Sequence, residues 1–423
     1  MALSENPNLA LIPSGYKAGK IYSVLPTNGV GDFNFARGTI ATRINSSGLI
    51  EEVASNVPRL NYPMIDGVVK GCPSLLLEPQ RTQRIQYSED FSYWTIGGSV
   101  TVTDNQAISP DGTLNATLIY PLSNSSNVGL YTSSSSSTIG TVSCFVKSSG
   151  KDFALLGTDN NANYYCVFDL ANETVVYEAT NYEGKIEKYP NGWYRISSTY
   201  VSSTAQGFPF IGVADNSGGT VIADSDNGIL IFGMQYEHEA FKTSYIPNYG
   251  TASGVTRSAE TANGSGSAAT FNSEQGVLMA EISALDNDGS NRSIAVINNN
   301  SNRISFRYDN SANRIEFYCI ATTQQYGYSH TLSDIKEVLK VAFLYSNNNF
   351  QVWINGIKVD FQNSGSTPID LSSLDFNLDG GANDFYGNVK QIQYFDTTDI
   401  DLEQLTSWVS FQEMAEGQLY TIE

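Results

Sequence analysis

GILIFGMQYEHEAFKTSYIPNYG, residues 228–250, runs an apolar strand into a corner, and the alternation along it decides the fold. Successive side chains of a strand point to opposite faces, so Met234, Tyr236 and His238 fall on one side and Gln235, Glu237 and Glu239 on the other. His238 and its flanking carboxylates therefore cannot close on one metal or share one proton. The expectation is a strand-end histidine between surface acids. Pro247 cannot donate to a continuing ladder, so Tyr245-Ile246-Pro247 ends the strand and marks where one sandwich closes.

Upstream of this stretch, short alternating runs recur at the spacing of a β-sandwich: TVSCFVKS, DFALLGT, NYYCVFDL, ETVVYEA, GWYRISSTYV and FPFIGVA. The turns between them, SPDGT, KSSGKD, YPNGW and DNSGG, carry the Gly, Asn and Asp that positive φ requires. A polar Gly/Ser-rich stretch at 250–268 without apolar period reads as a linker. A second series follows, from GVLMAEISAL to YGNVKQIQYFD, with WINGIKV as a hairpin whose Asn355-Gly356 pair suits a type I′ turn. TTDIDLEQLTSWVSFQEMA then supplies one helix, with Thr398 as N-cap and Leu402, Leu405 and Val409 on one face. Residues 1–80 are irregular and rich in Gly, Pro and Asn, with short strand candidates at FNFARG, ATRINSSGLIEEV and CPSLLLEP and little core of their own. The fold class is all-β: two antiparallel β-sandwich (jelly-roll) domains in tandem, with an irregular N-terminal segment and a short C-terminal helix. The boundaries are 1–80 for the irregular segment, a candidate for docking on another chain, then 81–257, 268–397 and 398–423.

With 23 Lys+Arg against 43 Asp+Glu the chain carries a net charge of −20, which disfavours a nucleic-acid groove. Only 16% of the residues are charged, while aromatics reach 12%, the balance of a β-rich chain with a neutral-polar surface. Cys72, Cys144, Cys166 and Cys319 are scattered without a CxxC pair, and Cys144 and Cys166 sit in apolar strands as buried free thiols. No basic n-region with an apolar core opens the chain and no run approaches a membrane span, so the expectation is a soluble protein made in the cytoplasm, without membrane insertion.

Candidate chemistry is sparse. His330, in QQYGYSHTLSD, has Ser329 and Asp334 near it in sequence but no nucleophile elbow. Asp286, Asp288 and Asn291 of LDNDGSN have the oxygen-rich look of a calcium loop but lack the bidentate Glu that would close it. Calcium is therefore the one cofactor candidate, and turn formation is the plainer reading. Asp224, Asp226 and Asn227 read the same way. No pair of acids stands out as a glycosidase couple, so no catalytic residue is named. Aromatics near strand ends or in loops make the better case, because a flat ring beside Asn or Asp can stack on a sugar. Among Tyr93, Trp94, Trp193, Tyr194, Tyr326, Tyr328 and Trp353, the carbohydrate-contact candidates are Trp94, Trp193, Tyr194, Tyr326 and Tyr328.

Four segments taken together carry a resemblance: FNFARGTIATRINSSGLIEEVASNVPRLNY, GCPSLLLEPQRTQRIQYSEDFSYWT, NGWYRISSTYV and IFGMQYEHEAFKTSYIPNYGTASGVTRSAE. They resemble a family of bacteriophage virion proteins, head spikes and tail fibres with a carbohydrate-binding-like β-sandwich. Residues 270–395 are similar in strand pattern to laminin-G or concanavalin-A-like jelly rolls. Gly192, Trp193, Tyr194 and Arg195 match the family's Gly-Trp-Tyr-Arg strand, and Gln235, Glu237, Thr243, Ser244, Tyr245, Ile246 and Pro247 its closing strand and corner, all as architectural positions. The family usually has Asn where this chain has Gln83. The resemblance implies a non-catalytic structural virion protein, a fibre, spike or head-decoration subunit located in the virion. Its partners would be other virion proteins, a host surface glycan and further copies of itself, as in a trimer. A virion-associated polysaccharide depolymerase with the second sandwich catalytic, and a structural capsid or tail component without ligand, are the alternatives.

Overall fold

The computed structural model describes residues 5–126, 128–218, 220–378 and 380–409, side chains at 202–206 excepted. Almost all of its regular structure is antiparallel strand, as the alternating runs require.

The first sandwich packs two six-stranded sheets face to face. One runs Thr95–Gly97, Val128–Tyr131, Phe210–Ala214, Phe153–Gly157, Tyr165–Asp169 and Thr174–Glu178. The other runs Val100–Ile108, Leu114–Pro121, Gly228–Glu237, Ser137–Ser149, Tyr194–Gln206 and Tyr182–Lys188. Val142, Cys144, Ile196, Ile211, Ile229 and Ile231 meet between them. Cys144 and Cys166 are buried free thiols, as their apolar strands suggest.

The alternation along Gly228–Glu237 holds with one phase change. Ile229 and Ile231 face the core, then Gly233, at φ +61°, lets the strand bulge and the register against Ser137–Ser149 slips. After the slip Met234 and Tyr236 return to the core, while Gln235 and Glu237 face the other way. His238 stays with Tyr236, edge-on to its ring, and its Nε2 lies 3.0 Å from the Ser135 carbonyl. Of the two acids expected on the surface, only Glu239 is exposed. Glu237 is buried and accepts from the Thr243 N–H at 2.9 Å, the Thr243 hydroxyl at 2.6 Å and Gln235 Nε2 at 2.7 Å. The Ile246 N–H donates to Gln235 Oε1 at 2.7 Å. Gln235 and Glu237 thus bind the backbone of the corner, because a chain that turns inside a packed structure must find acceptors for its amides.

The second sandwich draws on both ends of the chain. Its larger sheet runs Ile357–Gln362, Asn349–Ile354, Leu339–Ser346, Gln275–Ala284, Gly387–Phe395, Ser74–Leu77 and Arg59–Asn61, and Leu9–Leu11 pairs farther along Gly387–Phe395. The facing sheet runs Thr323–Thr331, Arg314–Ala321, Asn302–Tyr308, Arg292–Asn299 and Ser373–Asp375. Leu9, Leu11, Phe33, Phe35, Leu75 and Leu77 share one core with Ile304, Phe317, Phe343 and Ile392. The strand candidates in 1–80 form, as Phe33–Ala36, Ala41–Ile44 with Ile50–Val53, and Ser74–Leu77, but the expectation of little core is corrected: Leu9–Leu11, Phe33–Ala36 and Ser74–Leu77 pair with strands far along the chain and share their core. The hairpin Ala41–Ile44/Ile50–Val53 continues onto the first sandwich, where Ile44, Ile50 and Met64 cover Phe145, Trp193, Leu230 and Phe232.

The stretch expected as a linker is also ordered. Val255–Arg257 pairs with Arg81–Gln83, so the strand entering the first sandwich lies beside the strand leaving it. Thr261–Asn263 pairs with Phe33–Ala36. Beneath them Arg37, Arg59 and Arg257 are buried with Glu78 and Glu260. Glu260 Oε1 lies 2.7 Å from Arg37 and 2.8 Å from Arg59, and Glu78 Oε2 lies 2.8 Å from Arg59 and 2.6 Å from Arg257. Burial would raise the Glu78 carboxyl, but Arg257, Arg59 and two hydrogen bonds from Ser244 hold it well below the usual carboxylate range.

The Asn355-Gly356 hairpin forms as expected, with φ +49° and +83° and Ile354 opposite Ile357. The helix is shorter than its sequence suggests, Leu402–Thr406, and Asp401 rather than Thr398 caps it, accepting from the Gln404 N–H at 2.9 Å. Leu402 and Leu405 cover Val277, Met279, Leu344 and Phe395 on the outer face of the larger sheet. Val409, expected beside them, lies past the helix and is 89% exposed. Residues 410–423 lie outside the described residues.

Candidate functional site

The five nominated rings are mostly packing. Trp94 is buried and its indole N–H donates to the Tyr87 carbonyl at 2.9 Å. Trp193 is buried under the N-terminal hairpin and donates to the Ile108 carbonyl at 3.1 Å. Tyr326 lies in the second core, stacked on Phe350, with its hydroxyl 2.6 Å from Asp360 Oδ2. Tyr328 is half-buried and its hydroxyl meets His330 Nδ1 at 3.0 Å. The physical reason is common to them: large rings supply the area that a sandwich buries, and their polar atoms find backbone or side-chain partners there. Tyr194 alone lines an open groove of about 430 Å³, between residues 61–66 and the edge strand Tyr182–Lys188, with its hydroxyl 3.1 Å from Glu173 Oε1.

The calcium candidates also resolve into turn chemistry. Asp286 Oδ1 accepts from the Asn287 N–H at 2.7 Å and Asp288 Oδ1 from the Ser290 N–H at 3.0 Å. The positive charge in this loop is the Arg292 guanidinium, 2.5 Å from Asp288 Oδ1 and 3.0 Å from the Asp286 carbonyl. No cluster of three or more His, Cys, Asp or Glu suited to a metal occurs among the described residues, and Asn291 Oδ1 has no donor. Asp224 likewise folds back on the amides of Asp226 and Asn227 at 3.0 Å.

The arrangement that does gather exposed rings and polar groups lies at the end of the first sandwich, a cleft of about 430 Å³. One wall is the loop that leaves Arg81–Gln83. Its turn Phe91–Tyr93 is capped by Asp90, which accepts from the Ser92 N–H at 3.2 Å and hydroxyl at 2.6 Å, and this turns Phe91 inward and Tyr93 outward. Tyr93, 63% exposed, stacks on Tyr87 with ring centroids 4.0 Å apart and planes 10° from parallel. Tyr87 bridges to Tyr249, itself 69% exposed, just past the corner. Asn248 fixes that neighbour's backbone, donating to the Ile85 carbonyl at 2.8 Å and accepting from the Thr251 N–H at 2.8 Å.

The opposite wall comes from Val100–Ile108 and Leu114–Pro121, whose pairing breaks between Thr103 and Ala107 with Asn105 at φ +58°. The break projects Asp104 and Asn105 beside Asn115 and Thr117. The Thr117 hydroxyl donates to Asp104 Oδ1 at 2.9 Å, and Asn115 Oδ1 has no donor. At the floor Glu89 accepts from the Tyr245 hydroxyl at 2.9 Å. Burial pushes its carboxyl up to about 7, with Asp111 and Glu52 adding repulsion against the bond from Tyr245. Three carboxylates, two accessible rings and amide and hydroxyl groups line the cleft, and no Lys or Arg does. Such a set can stack on an apolar face and exchange hydrogen bonds with a polyol; it offers an anion no cationic partner.

No family model matches the chain, and no curated protein does. Among solved structures, similarity is found to domains LG4-5 of the mouse laminin α1 chain, at 9% identity and TM-score 0.24, covering 82% of this chain and 97% of that one. A putative carbohydrate binding protein from Bacteroides ovatus is similar at 12% identity and TM-score 0.26, covering 78% and 84%. The CBM22-1-CBM22-2 tandem domain of Paenibacillus barcinonensis Xyn10C is similar at 11% identity and TM-score 0.22, covering 77% and 98%. The architecture assigned here rests on the sheets themselves.

Proposed function

We propose that the chain is a carbohydrate-binding protein without catalytic activity of its own, and that the Tyr87–Tyr93–Tyr249 cleft of the first sandwich takes a neutral saccharide. The carrying observation is the Tyr93 ring, one face held by Tyr87 and the residue open to solvent, beside amides and carboxylates that match sugar hydroxyls. The lack of any cation in the cleft favours neutral over acidic sugars. Following the resemblance of the sequence to virion spike and fibre proteins, the subunit would attach a phage particle to host surface glycan, several copies adding avidity to weak single sites. Titration against neutral oligosaccharides and a glycan array reads the binding. Tyr93→Ala is expected to weaken it at least about tenfold, about 1.4 kcal/mol, with little change in thermal stability. Undiminished binding by Tyr93→Ala sinks the assignment, and labelling of assembled particles tests the virion placement.

One observation favours a second reading. Burial raises the Glu89 carboxyl to about 7 and Asp104 lines the same cleft, a pair of acids in unlike surroundings of the kind glycoside hydrolysis uses. This is the depolymerase alternative moved from the second sandwich to the first. Steady release of oligosaccharides that Glu89→Gln abolishes would establish it; bound sugar recovered intact would leave binding alone.

A further inference from the structure

A separate cavity of about 270 Å³ lies at the junction of the N-terminal hairpin, the outer face of the first sandwich and the second sandwich, which contributes Leu285 and Asn388. Arg195, on the strand Tyr194–Gln206, lines it and is 5% exposed. Six arginines are buried among the described residues, and five of them, Arg37, Arg59, Arg81, Arg257 and Arg292, have a carboxylate within 4 Å. Arg195 has none. Its guanidinium sits 5.2 Å from the Phe145 ring centre, and Nη2 donates to the Ser143 hydroxyl at 3.2 Å. The nearby Tyr189 phenol is neutral, its pKa pushed up to about 12 by burial, and Arg195 Nε has no acceptor. A guanidinium cannot shed its proton to escape burial, and the carboxylate nearest in register, Glu187 directly opposite on the adjacent strand, makes no ion pair with it within 4 Å.

The other charges around the cavity do not supply one. Glu78 is engaged by Arg59, Arg257 and Ser244, and Arg43 by Glu51. Lys242 Nζ lies 2.7 Å from Glu187 Oε1, whose side chain is 47% exposed. Burial lowers the Lys242 ammonium pKa, Glu187 opposes this, and Arg195 adds to the lowering. Two cations thus face one solvent-exposed carboxylate, beside the hydroxyls of Thr243 and Ser244.

We infer that this cavity is a binding site for a small oxyanion, held by the Arg195 guanidinium and the Lys242 ammonium. Inorganic phosphate and the carboxylate of an acidic sugar share the required chemistry: a compact, delocalised negative charge with several acceptor oxygens. The site is distinct from the Tyr93 cleft, whose lining carries acids and no Lys or Arg.

The test is a thermal-shift and calorimetric titration of the full chain with sodium phosphate, sodium glucuronate and glucose, at ionic strength fixed with chloride. Either oxyanion is expected to raise Tm saturably where glucose does not, and phosphate against glucuronate tells a free ion from an acidic sugar. Arg195→Met should abolish the response and Lys242→Met weaken it at least tenfold, while Tyr93→Ala retains it. A wild-type chain without a saturable response, or an unchanged response in Arg195→Met, overturns the inference. Should Arg195→Met fail to fold, the Lys242→Met titration decides: an unchanged response refutes the site.

Discussion

At the scale of single residues, the sequence points to aromatics near strand ends but cannot say which way each ring faces. Tyr93 and Trp94 are neighbours in FSYWT, and one short capped turn sends Tyr93 to solvent and Trp94 to the core. The segment is a single capped turn and not a strand, so no periodic pattern in the sequence announces which of the two faces out. Tyr87 and Tyr249 meet only through a bridge between distant segments, so their place in one cleft was not legible in either segment alone. Trp193 shows the contrast with a binding ring. Trp193→Ala is expected to cost about 3–5 kcal/mol, seen as a lower urea midpoint, with sugar affinity per folded molecule unchanged. Glu89 gives a signature in pH. Its pKa is raised in the folded chain, so its contribution is most favourable below the unfolded value near 4.5 and is lost as pH rises through about 7. Allowing for solvent screening, wild type should lose on the order of 1–2 kcal/mol relative to Glu89→Gln between pH 4.5 and 7.5. Parallel stability curves for the two proteins would contradict the assignment.

At the scale of elements, legibility follows locality. Long strands and the Asn355-Gly356 turn are visible because their side-chain period and φ requirements are written in adjacent residues. The helix starts later than expected because Asp401, not Thr398, accepts from its first turn, and Ile400, Leu402 and Leu405 pack on the sheet. The buried charges are the least legible elements, since Glu78 and Glu260 look like surface acids until N-terminal segments and the stretch after the first sandwich converge on them. They tie Arg37, Arg59 and Arg257 to Ser244 in the corner after Gly228–Glu237. Glu260→Gln removes the carboxylate of Arg37 and one of the two that Arg59 meets, and is expected to destabilise by about 3–5 kcal/mol in equilibrium urea unfolding. A loss below 1 kcal/mol would show that these guanidinium groups do not depend on Glu260.

At the scale of the whole molecule, the all-β class and the presence of two sandwiches follow from the sequence, and their interlocking does not. The first sandwich leaves and returns through one antiparallel pair, Gln83 opposite Val255. Two deletions probe this. Replacing residues 84–254 with a short Gly-containing turn should leave a second sandwich that unfolds cooperatively by circular dichroism. Removing residues 5–80 should abolish cooperative unfolding, because the larger sheet loses its strands Leu9–Leu11, Arg59–Asn61 and Ser74–Leu77. A soluble, cooperatively melting product of the second truncation would contradict the shared core. The pairing of Leu9–Leu11 with Gly387–Phe395 also sets a timetable for synthesis. All of the first sandwich emerges from the ribosome while Leu9, Leu11, Phe33 and Phe35 still await the strand that will cover them. At ordinary elongation rates that interval is roughly 20–80 s. The nascent chain must carry these apolar side chains uncovered throughout, which makes its first forty residues the natural place for a chaperone to hold.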